Sequence, residues 1–218
     1  MSFYGVVRAI FRPFFMLTFG IKVTGAENVP DDCGFLICAN HTSMLDVAMI
    51  GSAFKHKLNF MAKKEIFKFP PFAAFFRAMG AFPVDRGGAD VSAIKTEMER
   101  VERREAICMF PQGTRRKYVD PTKTPVRSGV GMIAYHTGCT VVPVYIKTKG
   151  NHVRIFKKTQ VIIGKPIKNE DFGFEKGGRK EYDAAAKLVF SEICALGGYD
   201  YPLTPDGNKS GAGDGAKE

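Results

Sequence analysis

The chain has few cysteines and histidines, and they are not spaced as disulfide frameworks or metal sites usually are. Five cysteines, an odd number, occur among 218 residues, and no two of them have the CxxC spacing. Three lie in apolar, strand-like stretches, which predicts reduced cysteines in the core of a cytoplasmic protein. The four histidines are scattered without the spacing of zinc ligands, so we expect no metal site.

Long apolar segments are missing as well. The longest stretch without Asp, Glu, Lys or Arg covers residues 128–146, and it contains three glycines, His136 and Pro143. This composition predicts a helix, a turn and a strand rather than a membrane span. The N-terminus lacks a small-residue cleavage site after an apolar core, so we expect no cleavable signal peptide.

Acidic residues are outnumbered by basic ones. The chain has 32 Lys and Arg against 22 Asp and Glu, which gives a net charge of +10. An excess of positive charge favours an anionic partner, and nucleic acid, anionic lipid and phosphorylated substrates all fit. The sequence has no helix-turn-helix, zinc-finger or RNA-binding sheet signature, so we do not expect nucleic acid to be the partner.

Short apolar stretches alternate with helical patterns over residues 21–203, long enough for one ordinary domain. Strands are predicted at 21–25, 35–39, 58–62, 80–84, 106–110, 140–146 and 153–163. Helices are predicted from near Ser43 to Phe54, at 91–104, 130–136 and 181–196, and over 63–76 with a break at Pro70 and Pro71. The alternation predicts an α/β fold with a mostly parallel central sheet flanked by helices. Residues 204–218, rich in Gly, Asp and Lys, are expected to be a disordered tail.

Residues 1–20 have the pattern of an amphipathic helix that can lie in a membrane interface. Arg8 and Arg12 fall roughly opposite an apolar set at helical spacing: Phe3, Val7, Ile10, Phe14 and Leu17. Pro13 is expected to bend this helix or divide it into a pair. Packing on the core of its own domain is the alternative, but aromatic residues next to basic ones favour the membrane. The basic segment 55–77 supplies further candidates for contact with the membrane or the acyl chain: Phe69, Phe72, Phe75 and Phe76.

The segment from Asn40 to Asp46 places a histidine where an apolar strand meets a helix. Residues five apart on one helix are separated by about 140°, so His41 and Asp46 meet only if His41 lies in the loop and the helix begins near Ser43. The carboxylate then holds one ring nitrogen and leaves the other free to take a hydroxyl proton. A second interpretation is a helix cap, with Ser43 at the N-cap and Asp46 at N3. Both interpretations can hold at once.

Two other strand ends carry arginine and glycine together. Arg86 with two glycines follows the strand 80–84, and Gly113 with Arg115 follows the strand 106–110. Carboxyl ends of parallel strands meet at one edge of a sheet, so His41, Arg86 and Arg115 are expected to line one cleft. A guanidinium group suits phosphate, and glycine lets the backbone approach a ligand closely.

Four blocks of the sequence resemble the signatures of the glycerolipid acyltransferases, the family of the bacterial 1-acylglycerol-3-phosphate acyltransferases. The blocks are residues 40–46, 80–87, 110–115 and 141–144, in the order of the family. Four ordered blocks are much more specific than one histidine–aspartate spacing. The resemblance covers about residues 20–165.

The resemblance implies transfer of a fatty acyl group from acyl-CoA or an acyl carrier protein to the sn-2 hydroxyl of lysophosphatidic acid, without a cofactor. His41 would be the general base and Asp46 would orient it. The acceptor would be bound by Arg86, Gln112, Gly113, Thr114 and Arg115. The enzyme would be peripheral (monotopic) on the cytoplasmic face of the cell membrane, with the anionic membrane surface as a partner.

One position departs from the family pattern, which usually has glutamate where this chain has Gln112. Glutamine donates and accepts hydrogen bonds but carries no charge. Another lysophospholipid or an aminoacyl lysolipid is therefore an alternative acceptor for the same chemistry. A non-enzymatic protein that binds anionic lipid or nucleic acid is an alternative of another class, suggested by the net charge.

Overall fold

The computed structural model describes residues 3–31, 34–84 and 91–203. Its strands are Ile21–Thr24 (β1), Phe35–Ala39 (β2), Leu58–Lys63 (β3), Ala81–Val84 (β4), Ala106–Met109 (β5), Thr140–Lys147 (β6) and Thr159–Ile163 (β7). They form one sheet in the order β1-β7-β6-β2-β5-β3-β4. Every neighbouring pair is parallel except β6 and β7. The predicted mostly parallel α/β sheet is confirmed.

The helices are Phe3–Thr18 (α1), Asp46–Ala53 (α2), Pro70–Ala78 (α3), Val91–Glu102 (α4), Gly129–Thr137 (α5) and Arg179–Leu196 (α6). Short 3₁₀ helices occur at Ala26–Asn28, Lys64–Phe67, Pro121–Lys123 and Asn169–Phe172. The break expected at Pro70 is present because proline is favoured in the first turn of a helix, where its missing N–H costs nothing. The predicted tail at 204–218 lies outside the described residues.

The central strand β2 is buried on both faces of the sheet. Phe35 and Ile37 point to the side of α1 and α2, where they pack with Met49 and other apolar residues. Leu36 and Cys38 point to the side of α5 and α6, where Phe190 belongs to the same cluster. A parallel strand covered by helices on both faces needs a continuous apolar run, and this is why the sequence FLICA forms it.

The predicted strand 153–163 is wrong in its first half. β7 begins only at Thr159, and residues 154–158 form a turn in which Phe156 has a φ of 59°. The reason is topological, because β7 runs antiparallel to β6 and the chain must reverse between them.

α1 is a single helix that continues through Pro13, so the predicted division into a pair does not occur. Its basic face points inward. Arg8 donates to the carbonyl of Phe54 at 2.9 Å and Arg12 to that of Ser52 at 3.0 Å, both at the C-terminal end of α2, where cations are favoured. These contacts hold the part of α1 that precedes Pro13 against α2.

One apolar side of α1 is exposed, whereas Val7 is buried and Phe15 and Met16 pack against the core. Its exposed side chains are Val6, Ile10, Phe11, Phe14 and Leu17, and Leu17 retains 83% of its accessible surface. Among the helices within the described residues, none has the length and apolar character needed to cross a bilayer.

Candidate active site

The end of β2 is fixed by an asparagine. Asn40 accepts from the backbone N–H of Ile146 at 2.7 Å and donates to the carbonyl of Ile146 at 3.2 Å. The side chain therefore continues the pairing of β2 with β6 beyond the last strand residue, with both partners buried. His41 follows at the edge of the sheet where β2, β5, β3, β4 and β6 end, here called the carboxyl edge.

His41 and Asp46 form a buried pair. His41 Nδ1 lies 2.9 Å from Asp46 Oδ2, with the aspartate fully buried and 12% of the histidine side chain accessible. The same carboxylate oxygen accepts from the backbone N–H of Thr42 at 2.6 Å and of Ser43 at 2.8 Å. The carboxylate requires a proton on Nδ1, so the neutral ring keeps Nε2 as a free proton acceptor.

The helix after this loop starts later than expected. α2 begins at Asp46, Leu45 occupies the N-cap position, and no side chain caps the helix. The interpretation of Ser43 as N-cap is therefore wrong; its hydroxyl accepts from the N–H of Leu45 at 3.2 Å and stabilises the preceding turn. Asp46 starts the helix and reaches back over its own loop, which is the geometry that brings it to His41.

An aromatic ring stacks on the imidazole ring of His41. Phe110, directly after β5, stacks on His41 with ring centroids 3.9 Å apart and planes inclined by 15°. The sequence did not single out Phe110, although its position at the end of the strand next to β2 places it at the same edge.

Gln112 contacts the backbone of the histidine. Its Oε1 accepts from the N–H of His41 at 2.7 Å, and its Nε2 donates to Thr124 Oγ1 at 2.8 Å. The Thr124 hydroxyl in turn donates to the carbonyl of Pro121 at 2.7 Å. Arg116 N–H donates to the carbonyl of His41 at 2.7 Å, so the segment after β5 binds both backbone groups of His41.

The turn that follows carries three predicted site residues on the surface. Gly113, Thr114 and Arg115 are exposed. Gly113 has a φ of 68°, a conformation that favours glycine. A Cβ atom there would lie 2.5 Å from Arg127 Nε, in a flexible side chain that can move aside. Arg127 thus lies against this turn. The sequence analysis did not single out Arg127, because a contact across fourteen positions leaves no local pattern.

Arg86 lies outside the described residues. β4, the strand before it, ends at Val84 on the carboxyl edge and is separated from β2 by β5 and β3.

The described thiols are poorly suited to nucleophilic catalysis. Cys38, Cys108, Cys139 and Cys194 are free and buried. Burial raises the pKa of Cys38 and of Cys108 well above the ordinary value, so neither forms a thiolate readily. In the described part of the chain, no three His, Cys, Asp or Glu side chains come together as a metal-binding group.

Comparison with known proteins assigns the part of the chain that carries this site to a known family. Residues 20–147 match the family model described as acyltransferase. The chain is 33% identical over 156 residues to the 1-acyl-sn-glycerol-3-phosphate acyltransferase of Bacillus subtilis, covering 70% of this chain and 76% of that protein. It is 30% identical over 173 residues to the enzyme of that name from Saccharomyces cerevisiae, covering 75% of this chain but only 56% of the yeast protein.

A solved structure has the same architecture. The crystal structure of the 1-acyl-sn-glycerophosphate (LPA) acyltransferase PlsC from Thermotoga maritima superimposes with a TM-score of 0.61 at 26% sequence identity. The match covers 87% of this chain and 80% of that one.

Proposed function

This chain belongs to the acyltransferase family, and we propose that it transfers a fatty acyl group from an acyl thioester to the sn-2 hydroxyl of lysophosphatidic acid, giving phosphatidic acid for phospholipid biosynthesis. The observation that carries the proposal is the His41–Asp46 pair at the carboxyl edge. The acyl thioester, from acyl-CoA or an acyl carrier protein, is the second substrate, and no cofactor takes part.

The proposed reaction needs one proton acceptor. His41 Nε2 takes the proton of the acceptor hydroxyl as its oxygen attacks the thioester carbonyl. The tetrahedral intermediate collapses, the carbon–sulfur bond breaks, and the proton returns from His41 to the leaving thiolate. Asp46 stabilises the transient imidazolium. No acyl-enzyme is required, which agrees with the raised pKa of the buried thiols.

We assign the phosphate of the acceptor to the turn after β5. Arg115 is exposed there, and Arg127 lies against Gly113 in the same turn, which Arg116 ties to His41. Charge-assisted bonds contribute about 1.5–3 kcal/mol each. Arg115→Ala and Arg127→Ala are each expected to raise KM for lysophosphatidic acid about tenfold or more while kcat changes little.

Steady-state kinetics with lysophosphatidic acid and with monoacylglycerol, which lacks the phosphate, check this assignment. Lys117→Ala, exposed in the same loop, is the matched control. An equal effect of the arginine variants on both acceptors would exclude a phosphate contact.

We infer a positioning role for Gln112 in this reaction. Gln112→Leu leaves the N–H of His41 without its acceptor, at a cost of about 1–3 kcal/mol. We expect kcat to fall about ten- to hundredfold with KM nearly unchanged. Gln112→Glu should retain most of the activity, because a carboxylate accepts from His41 N–H and the Thr124 hydroxyl can donate to its other oxygen in place of the Pro121 carbonyl. A rise in KM without loss of kcat would support the acceptor-binding role predicted from the sequence.

We further propose that the protein binds the membrane peripherally, on the cytoplasmic face, through α1. The argument is its orientation, with arginines bonded to α2 and the apolar side chains exposed along the helix. Phe69 is also exposed, and Phe75 contacts Phe11 with ring centroids 6.2 Å apart, so α3 adjoins this surface. The side chain of Phe72 lies outside the described residues.

The test of the function is product identification. Purified protein is incubated with lysophosphatidic acid and either acyl-CoA or acyl carrier protein thioester, and lipids are identified by mass spectrometry. Phosphatidic acid is the expected product. Acylation of lysophosphatidylglycerol or an aminoacyl lysolipid, with none of lysophosphatidic acid, would assign a different acceptor, and no thioester consumption with any acceptor would refute the proposal.

A further inference from the structure

The turn between β6 and β7 presents apolar side chains to solvent. Phe156 retains 84% of its accessible surface and Ile155 retains 59%. Arg154, Lys157 and Lys158, which flank them, are exposed as well. Two large apolar residues at the tip of a basic turn are unusual on a surface that meets only water.

The turn is held next to the end of α1. Phe156 N–H donates to the carbonyl of Thr18 at 2.9 Å, and Thr159 N–H donates to that of Phe19 at 3.1 Å. Phe156 adopts a φ of 59°, which bulky residues rarely do, so its outward orientation is maintained by the surrounding backbone. The turn therefore extends the apolar face of α1, which ends at Leu17.

A pocket lined by lysines opens beside this turn. It has a volume of about 350 Å³ and is lined by Gly20, Thr148, Thr159, Gln160 and four lysines: Lys22, Lys147, Lys149 and Lys158. No carboxylate lines it, and none of the four lysines forms an ion pair with a residue that the structure describes. Four lysines around one concavity, none of them in an ion pair with a described residue, favour an anion with several oxygens, such as phosphate.

The pocket shares the carboxyl edge with His41. Lys147 follows Ile146, whose backbone is bonded to Asn40 at 2.7 Å. Two strand spacings separate β2 from β7, roughly 10 Å. A lipid headgroup in the pocket would thus lie on the same edge as the proposed acyl transfer.

We propose that this lysine pocket binds the phosphate of an anionic phospholipid in the bilayer, while Phe156 and Ile155 insert between the lipids beside it. The inference rests on the proposed membrane association and adds a second contact to that of α1. The adjoining apolar side chains favour a lipid headgroup over a soluble phosphate or a nucleic acid, because neither would cover them. Basic residues close to an anionic leaflet each strengthen binding several-fold, and apolar side chains at the interface add to this.

The test measures binding of the full chain to phosphatidylcholine vesicles with and without phosphatidylglycerol. The variant Lys22→Gln/Lys149→Gln/Lys158→Gln is expected to bind anionic vesicles on the order of 100-fold more weakly. Phe156→Asn, whose side chain tolerates a positive φ, is expected to weaken binding to both kinds of vesicle about tenfold.

The matched control is Lys165→Gln/Lys176→Gln/Lys180→Gln, which removes the same charge at exposed positions elsewhere. If both triple variants bound anionic vesicles equally weakly, the effect would come from net charge alone, and the assignment of a lipid phosphate to the pocket would be wrong. Undiminished binding of the pocket variant to anionic vesicles would overturn the bilayer site.

The kinetic arm separates this inference from the proposed function. With a short-chain lysophosphatidic acid dissolved as monomers, the pocket variant is expected to keep the wild-type kcat. With the acceptor in anionic vesicles its apparent KM should rise. If the wild-type protein bound vesicles through these lysines but transferred no acyl group, the proposed lipid site would stand and the proposed enzyme activity would be refuted.

Discussion

Replacing Glu97 with glutamine is expected to stabilise the protein by up to about 5 kcal/mol above pH 8 and to change little near pH 4.5. Glu97 on α4 is completely buried, and neither carboxylate oxygen has a hydrogen-bond partner. Burial raises its pKa from the usual 4.5 to about 8. Each pH unit between these values is worth about 1.4 kcal/mol, which gives the upper limit.

The direction follows from proton binding. Between pH 4.5 and about 8 the unfolded chain has lost the proton of Glu97 while the native protein still holds it. The native state binds more protons, so its stability falls as pH rises through this range and is lowest above it. A glutamine side chain at this position cannot ionise, so the free energy of unfolding of the variant does not fall with pH for this reason.

Denaturant unfolding at several pH values checks the prediction. Glu102→Gln, an exposed position on the same helix, is the control and should follow the wild type. Parallel stability curves for the wild type and Glu97→Gln from pH 4.5 to 8 would show that Glu97 does not retain its proton in the native state.

Replacing Asp46 with asparagine is expected to lower kcat by about 10³- to 10⁴-fold, provided that the variant folds. The amide oxygen can still accept from the backbone of Thr42 and Ser43, so the loop has a means of keeping its shape. The neutral side chain cannot stabilise an imidazolium at His41, because the amide oxygen that replaces Oδ2 next to Nδ1 carries no charge.

A double variant separates this effect from general damage. Residues that act as one unit lose activity non-additively. Asp46→Asn combined with His41→Ala should therefore be no slower than His41→Ala alone, in kinetics measured at saturating acceptor. Additive losses would mean that Asp46 serves the fold independently of His41.

The parts of this structure that sequence predicted are those set by local pattern. The apolar run of β2 predicted a buried strand, and the histidine directly after it was therefore expected at the edge of the sheet. The link from His41 to Asp46 needed only the short loop between them.

The parts that sequence missed depend on contacts between distant residues. The bonds of Gln112 left no local pattern, because its partner Thr124 is twelve positions away and the backbone of His41 lies at another strand end. Its predicted contact with the acceptor stays a prediction. The inward arginines of α1 depend on where α2 ends. Glu97 shares the buried side of α4 with Ile94 and Val101, and only the packing of that face against the sheet reveals a carboxylic acid without a partner.

The most direct measurement of the central claim compares the wild type with His41→Ala in the formation of phosphatidic acid from acyl thioester and lysophosphatidic acid on anionic vesicles. Removing the general base should lower turnover by about 10²- to 10⁴-fold while vesicle binding stays at the wild-type level. Turnover by His41→Ala at the wild-type rate would contradict the assignment of His41 as the base that activates the acceptor hydroxyl.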